Sequence, residues 1–163
     1  MNAPSISELK KDLTKKPADD LINYCIRLAK FKKENKDLLA YLLYEMGDEE
    51  LYKANVKQDI DDMLDEIETG RNSYFIKKGL RKVLRRVNIK IRFTEIMQSK
   101  IDIQLYFYLQ AGRRFPPTGK VLPLHNFYIL GIRRIRAAVA KLEEDLQADY
   151  RAGIDELENL LIN

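Results

Sequence analysis

The side chains of this sequence with the numbers and spacing to support a reaction are its carboxylates. Asp59, Asp62 and Glu66 recur on one face of a helical repeat, and Asp61, Asp65 and Glu68 on another. Acids at such intervals can hold a divalent cation if they point into a cleft between helices. Here the apolar stripe of the same segment, Tyr52, Val56, Ile60, Met63, Leu64 and Ile67, claims the inward side. The acids are therefore expected on a solvated face, with no metal assigned. Cys25 shares a helix face with Leu21 and Leu28 and reads as an inert core thiol rather than a nucleophile with a base beside it. His125, the one histidine, stands where a Pro-rich loop meets a helix and reads as a capping or surface group. No Cys/His cluster of zinc spacing and no Gly-rich phosphate cradle occurs. The sequence thus assigns no catalytic residue, no metal ligand and no cofactor.

Charge is the second resource. The stretch Lys77 to Arg92, KKGLRKVLRRVNIKIR, places eight basic side chains in sixteen residues without an acid. DIDDMLDEIE, from Asp59 to Glu68, is nearly its negative image. The chain's net charge is only +4, but it is distributed in blocks: +2 over residues 1–47, −7 over 48–70, +14 over 71–136 and −5 over 137–163. Blocks of this size point to an electrostatic partner, inside the fold or outside it.

The elements that position these groups are legible from local signals. At 163 residues, with 45% apolar and 33% charged residues, seven Gly and five Pro, the chain is expected to form one globular domain, rich in helix. Ser5 and Glu8 form a capping box ahead of a short helix within residues 1–16. Pro17 opens a second helix running to about Lys33, Asn35 caps a third, and Gly47 stops it. Asp48 caps a fourth, and Asn72 or Ser73 starts a fifth. Residues 87–93 and 101–109 alternate like strands, but a hairpin between them would need TEIMQSK as its turn, which has no Gly, Pro, Asn or Asp. Helical projection instead gathers Ile76, Leu80, Val83, Leu84, Val87 and Ile91 within an arc of about 100°. Two helices follow, Asn72–Arg92 and Thr94–Ala111, the second apolar on two sides and so central.

Residues 112–124 form a Pro-rich loop. After it, Leu124, Tyr128, Ile132, Ile135, Val139, Leu142, Leu146 and Tyr150 lie on one stripe of a long helix that bends near Gly153, with residues 150–163 able to form a separate C-terminal helix. The fold class is all-α: antiparallel helical hairpins packed as a compact bundle or as a short α–α superhelix of the HEAT or armadillo kind. The pattern LKKDL…LINYCIRLAKFKKENKDLLAYLLYE…KKGLRKVLRRVN resembles an uncharacterised family of small all-helical bacterial proteins. That resemblance implies a helical fold and carries no activity and no residue roles.

With one cysteine, no apolar run of signal-peptide length near Met1 and no stretch of about twenty uncharged apolar residues, a cytoplasmic location without membrane contact is expected. Lys77 and Lys90 border the apolar stripe of their helix and can meet Asp59, Glu66 or Glu68 across the preceding hairpin. Arg81, Lys82, Arg85 and Arg86 project away from it. Together with Arg113, Arg114 and Lys120 of the following loop, these form the expected anion- or partner-binding set. The leading reading is a non-enzymatic helical interaction module whose basic surface takes an acidic protein partner or another copy of the chain. The alternative is sequence-tolerant DNA or RNA binding by residues 77–92 and 113–120, since no helix-turn-helix, zinc finger or RNA-reading strand is present. Phe127 and Leu130, opposite the stripe of the long helix, suggest a second buried contact.

Overall fold

The computed structural model describes residues 3–70, 72–117 and 122–162, and every element among them is a helix. The chain divides into two compact units, Met1–Glu45 and Met46–Asn163. Lys120, one of the expected binding residues, lies outside the described residues.

The first unit holds α1 (Ile6–Leu13), α2 (Ala18–Phe31) and α3 (Lys33–Tyr44). Its caps follow the sequence in part. Ser5 and Glu8 form the reciprocal capping box at α1, and the Ser5 backbone amide, then its hydroxyl, hold the Glu8 carboxyl below its ordinary pKa. Between α2 and α3 the expected boundary shifts. Lys32 alone, extended at φ −144° and ψ 147°, separates the two helices. Asn35 is not the cap of α3; it lies within α3 and donates its side-chain amide to the Leu28 carbonyl at 2.8 Å. One extended residue reverses the chain, and the Asn35 amide satisfies a carbonyl left open at the end of α2. α2 and α3 pack against each other as a hairpin. Only Tyr41 of the three helices is buried. Cys25, expected in a core, is exposed, because no helix of its own unit covers it.

The second unit is a bundle of α4 (Glu49–Asp65), α5 (Ser73–Lys90), α6 (Met97–Arg114), α7 (Leu122–Val139), α8 (Glu144–Asp149) and α9 (Arg151–Ile162). Asp48 caps α4 by accepting from the Leu51 amide, and Asn72 caps α5 by accepting from Tyr74 and Phe75. α6 is central, packing against α4, α5, α7 and α9. Both of its apolar sides are used: Ile101, Ile103, Phe107, Tyr108 and Ala111 are all buried. Facing them are Val56, Ile60 and Leu64 of α4, Leu80, Val83 and Val87 of α5, and Ile135 of α7. Burial of large side chains stabilises by about 1.5–3 kcal/mol each, so this stripe-on-stripe contact is what holds the unit together.

Two sequence expectations change here. The long helix ends at Val139, not near Gly153, and the segment Ala140–Glu143 turns without Gly or Pro. Its amides are satisfied locally, Leu142 N donating to the Val139 carbonyl at 2.9 Å and the Gln147 side chain donating to the Leu142 carbonyl at 2.8 Å. The C-terminal segment is a helix of its own, α9, which packs on α6 and α7 and buries Ile154 and Leu157. Gly153 sits inside α9, where a Cβ would meet the Leu105 side chain at 2.7 Å. The closest approach is at Gly131 of α7, where a Cβ would stand 2.3 Å from the Tyr108 ring. Phe127, opposite the stripe and expected in a second buried contact, is buried in an aromatic cluster with Phe107, Tyr108 and Tyr128. α7 is flanked by α5, α6 and α9, so it buries a wider arc than one stripe. Leu130 remains 53% exposed.

Candidate functional site

The charged residues of the second unit sort into cations answered by a carboxylate and cations that are not. Most of the first kind tie α6 and its neighbours together. Lys90, at the end of α5, stands 2.5 Å from Asp59 of α4, and the Tyr52 hydroxyl donates to the Lys90 carbonyl. Arg113 pairs with Glu156 of α9. Arg114 reaches Asp61 at 3.1 Å and Asp65 at 3.0 Å on α4, and it also donates to Gln110. Arg136 pairs with Glu158. Lys53 meets Glu50 at 2.7 Å and Asp102 at 2.9 Å. Burial alone would depress the Lys53 pKa, but the two carboxylates more than offset it and hold the ammonium form.

These pairs sit beside ordered hydroxyls. Tyr106 donates to Asp61 at 2.6 Å, and burial, reinforced by that bond, pushes its pKa up to about 12. Tyr150 donates to Asp102 at 2.8 Å, and burial followed by that carboxylate raises it as well. Thr94, fully buried at the α5–α6 turn, donates to Glu49 at 3.0 Å and accepts from the Ile96 amide. Asp61 Oδ1 is buried and held by the Arg114 charge rather than by an aligned hydrogen bond. Among the described residues no three His, Cys, Asp or Glu side chains gather as a metal site. The carboxylates of α4 at helical spacing thus serve the fold: Asp59, Asp61 and Asp65 bind cations of α5 and α6.

The second kind includes Arg133 and Arg134 of α7 and Arg151 of α9, and is densest on α5. Lys78, Arg81, Lys82 and Arg85, at i, i+3, i+4 and i+7, are exposed, and Lys77 is half-exposed beside them. None of the five makes a hydrogen bond or ion pair with a described residue. Leu80, Val83 and Val87 anchor the helix in the core on its opposite side, which is why this face stays wet. A groove of about 630 Å³ runs along it, lined by Tyr74, Lys77, Lys78, Arg81, Leu84 and Arg85, with Ser73 and Asn88 at its ends. Tyr74 is 67% exposed and meets Phe75 edge-to-face at 5.4 Å. The groove therefore has a basic rim, apolar surface in Tyr74 and Leu84, and no acid in its lining.

Of the seven residues expected from sequence, the structure places Arg81, Lys82 and Arg85 together on this face. Arg86 is half-buried and lines a separate groove with Glu66, Glu68 and Lys82, a mixed-charge environment. Arg113 and Arg114 are drawn away by Glu156, Asp61 and Asp65, partners 43 to 53 positions distant in the chain and invisible to local pattern. Lys77, expected to meet an acid of α4, meets none among the described residues, and Lys78 and Tyr74 were not in the expected set. The signal was present in the spacing, since 74, 77, 78, 81 and 85 share one helical face. His125 is half-exposed near the start of α7.

No helix among the described residues is long and apolar enough to cross a membrane. No protein-family model, curated protein or solved structure matches the chain.

Proposed function

We propose that the protein is a non-enzymatic interaction module of the cytoplasm that receives an acidic amphipathic segment of a partner protein on α5. The observation that carries this reading is the gathering of five cations without carboxylate partners on one face of α5. Lys53, Lys90, Arg113, Arg114 and Arg136 all have carboxylate partners, whereas the α5 ridge has none among the described residues. Like charges four residues apart on a helix cost about 0.2–0.5 kcal/mol per pair. Lys77–Arg81, Lys78–Lys82 and Arg81–Arg85 are three such pairs, and a bound carboxylate relieves each of them. Arginine forks bind carboxylates bidentately, and Tyr74 with Leu84 offers apolar surface to a side chain between them. The single cysteine fits a reducing compartment.

The nucleic-acid reading has less in its favour. Two of its arginines, Arg113 and Arg114, are held by carboxylates.

The test is a fluorescence-anisotropy titration of the full chain with a labelled Glu-rich amphipathic peptide, a neutral peptide of the same length, and labelled duplex and single-stranded DNA, each at several salt concentrations. The acidic peptide is expected to bind, and Arg81→Glu with Arg85→Glu to weaken it about tenfold or more. Absence of peptide binding at low salt overturns the reading. Tighter, steeply salt-dependent binding of DNA replaces it with the nucleic-acid one.

A further inference from the structure

We infer that the cleft lined by α4, α6 and α8 is a binding site for a small aliphatic amine with two or more ammonium groups, a linear di- or polyamine. All of its residues belong to the second unit, and the inference does not rest on the reading of α5.

The starting observation is a buried hydroxyl without a partner. Ser99, in the first turn of α6, is 3% exposed and lines a cleft of about 470 Å³. Its side chain makes no hydrogen bond with a described residue. Thr94, buried as fully, has Glu49 as its acceptor. Buried polar side chains are paired in the large majority of cases, so an open hydroxyl on a cleft wall points to an atom that the chain does not supply. Two further groups on the same wall are open. The Gln98 side-chain amide makes no hydrogen bond with a described residue, and the Asp149 carboxylate, at the end of α8, makes no hydrogen bond or ion pair with one.

Charge sets the sign of the ligand. Glu49, Glu50, Asp102 and Asp149 line the cleft against Lys53, four negative charges and one positive, a net of −3. Lys53 is already engaged by Glu50 at 2.7 Å and by Asp102 at 2.9 Å. Tyr150 donates to the other oxygen of Asp102 at 2.8 Å, so that carboxylate is fixed from both sides. Lys100 and Arg151, next in the chain to Ser99 and Tyr150, do not line the cleft. The first turn of α6 alone would favour an anion, but a helix end is worth only about half a positive charge. The carboxylates outweigh it.

The spread of that charge selects an organic cation over a metal ion. Among the described residues no three acids, histidines or cysteines gather closely enough to ligate one metal. The carboxylates instead come from α4, α6 and α8, and a methylene chain with an ammonium at each end matches charge distributed in this way. Each primary ammonium has three hydrogens to donate and nothing to accept with, so it needs several oxygens around it. Ser99 Oγ and the carboxylates are such oxygens, while Ile96, 44% exposed, offers apolar surface to the methylenes. Water would satisfy the hydroxyl but leave the charge unanswered; an ammonium group does both. The volume falls among those of small-ligand sites, about 300–1,000 Å³.

The test is isothermal titration calorimetry of the full chain at low salt with putrescine, spermidine, the uncharged diol of putrescine's length, magnesium and tri-lysine. Spermidine is expected to bind one to one, and the diol to give no signal. Ser99→Ala should weaken spermidine about tenfold, through loss of a hydrogen bond to a charged group. Asp149→Asn should weaken it about threefold. Asp62→Asn, at an exposed acid of α4 outside the cleft, should leave the affinity unchanged. No spermidine binding at millimolar concentration overturns the inference. A loss in Asp62→Asn equal to that in Asp149→Asn also overturns it, because the attraction would then be diffuse. Tighter binding of tri-lysine would make the occupant a protein segment, and tighter binding of magnesium would make it a metal ion; either result sinks the polyamine assignment. If Ser99→Ala loses its helical circular dichroism, Asp149→Asn, at an exposed residue, still decides.

Discussion

The two units use similar amphipathic helices to different ends. In the second, α6 is enclosed by α4, α5, α7 and α9, and its apolar residues on two sides reach zero or near-zero exposure. In the first, α2 carries Leu21, Ile22, Ile26, Leu28 and Phe31, and none of its residues is buried. The lesson is that an apolar arc states a demand for a neighbour without naming it. Inside the second unit other helices of that unit meet the demand, whereas within the first unit α1 and α3 do not meet it for α2. The charged groups of the bundle divide as well: Lys53, Lys90, Arg113, Arg114 and Arg136 meet carboxylates, whereas the α5 ridge gathers five cations that meet none among the described residues.

The largest effect that would sharpen this contrast is a pair of truncations. Phe107→Ala removes a fully buried ring from the aromatic cluster and should cost about 3–5 kcal/mol in urea denaturation. Leu43→Ala, at a side chain 63% exposed, should change monomer stability by less than about 1 kcal/mol. Equal losses would show that the hairpin has a core of its own.

Alkaline titration probes the bundle without mutation. Tyr106 and Tyr108 are raised from 10.0 to about 12, Tyr108 chiefly by burial. Tyr128 and Tyr150 are raised further, again chiefly by burial. A raised folded pKa means that the unfolded chain ionises first. The stabilisation from these neutral hydroxyls is therefore complete below pH 10 and falls away as pH rises through about 12. The urea midpoint should drop steeply over that window, together with ionisation of the tyrosines read by ultraviolet absorbance. A midpoint unchanged up to pH 12 would contradict their burial.

The smallest effects compare arginines. Arg114→Met leaves Asp61 and Asp65 without their cation and should destabilise by about 1 kcal/mol, a partly exposed pair being screened by solvent. Arg81→Gln, on the open ridge, should leave stability within about 0.5 kcal/mol or raise it slightly, since it removes repulsion from Lys77 and Arg85. If Arg81→Gln proves the more damaging, the ridge has a structural role and its reading as a binding face fails.

Local information in the sequence went far in this protein. The all-α class, the capping box at Ser5, the caps at Asp48 and Asn72, and the choice of helix over strand for residues 87–93 and 101–109 rest on interactions within four or five residues. The stripe residues Val56, Ile60, Leu80, Val83, Tyr128 and Ile135 were legible for the same reason, because helical periodicity fixes which side chains share a face. The exposed part of the candidate site, Arg81, Lys82 and Arg85, followed from that periodicity, with its neighbours Lys77 and Lys78 half a step away.

What the tertiary structure decided were facts about distant neighbours. The end of α7 at Val139 carries no Gly or Pro; it depends on a Gln147 amide, and α8 ends at a Tyr150 hydroxyl bound to Asp102, 48 positions away. Arg113 and Arg114 looked as available as Arg81, and only the approach of α4 and α9 distinguished them. Cys25 looked like core because its helix is apolar, and the packing of its own unit leaves it exposed. Helix formation is settled by hydrogen bonds closed within one turn, which the order of residues specifies directly. Which face is covered, and which charge is neutralised, depends on packing between segments far apart along the chain, and that is a property of the assembled fold.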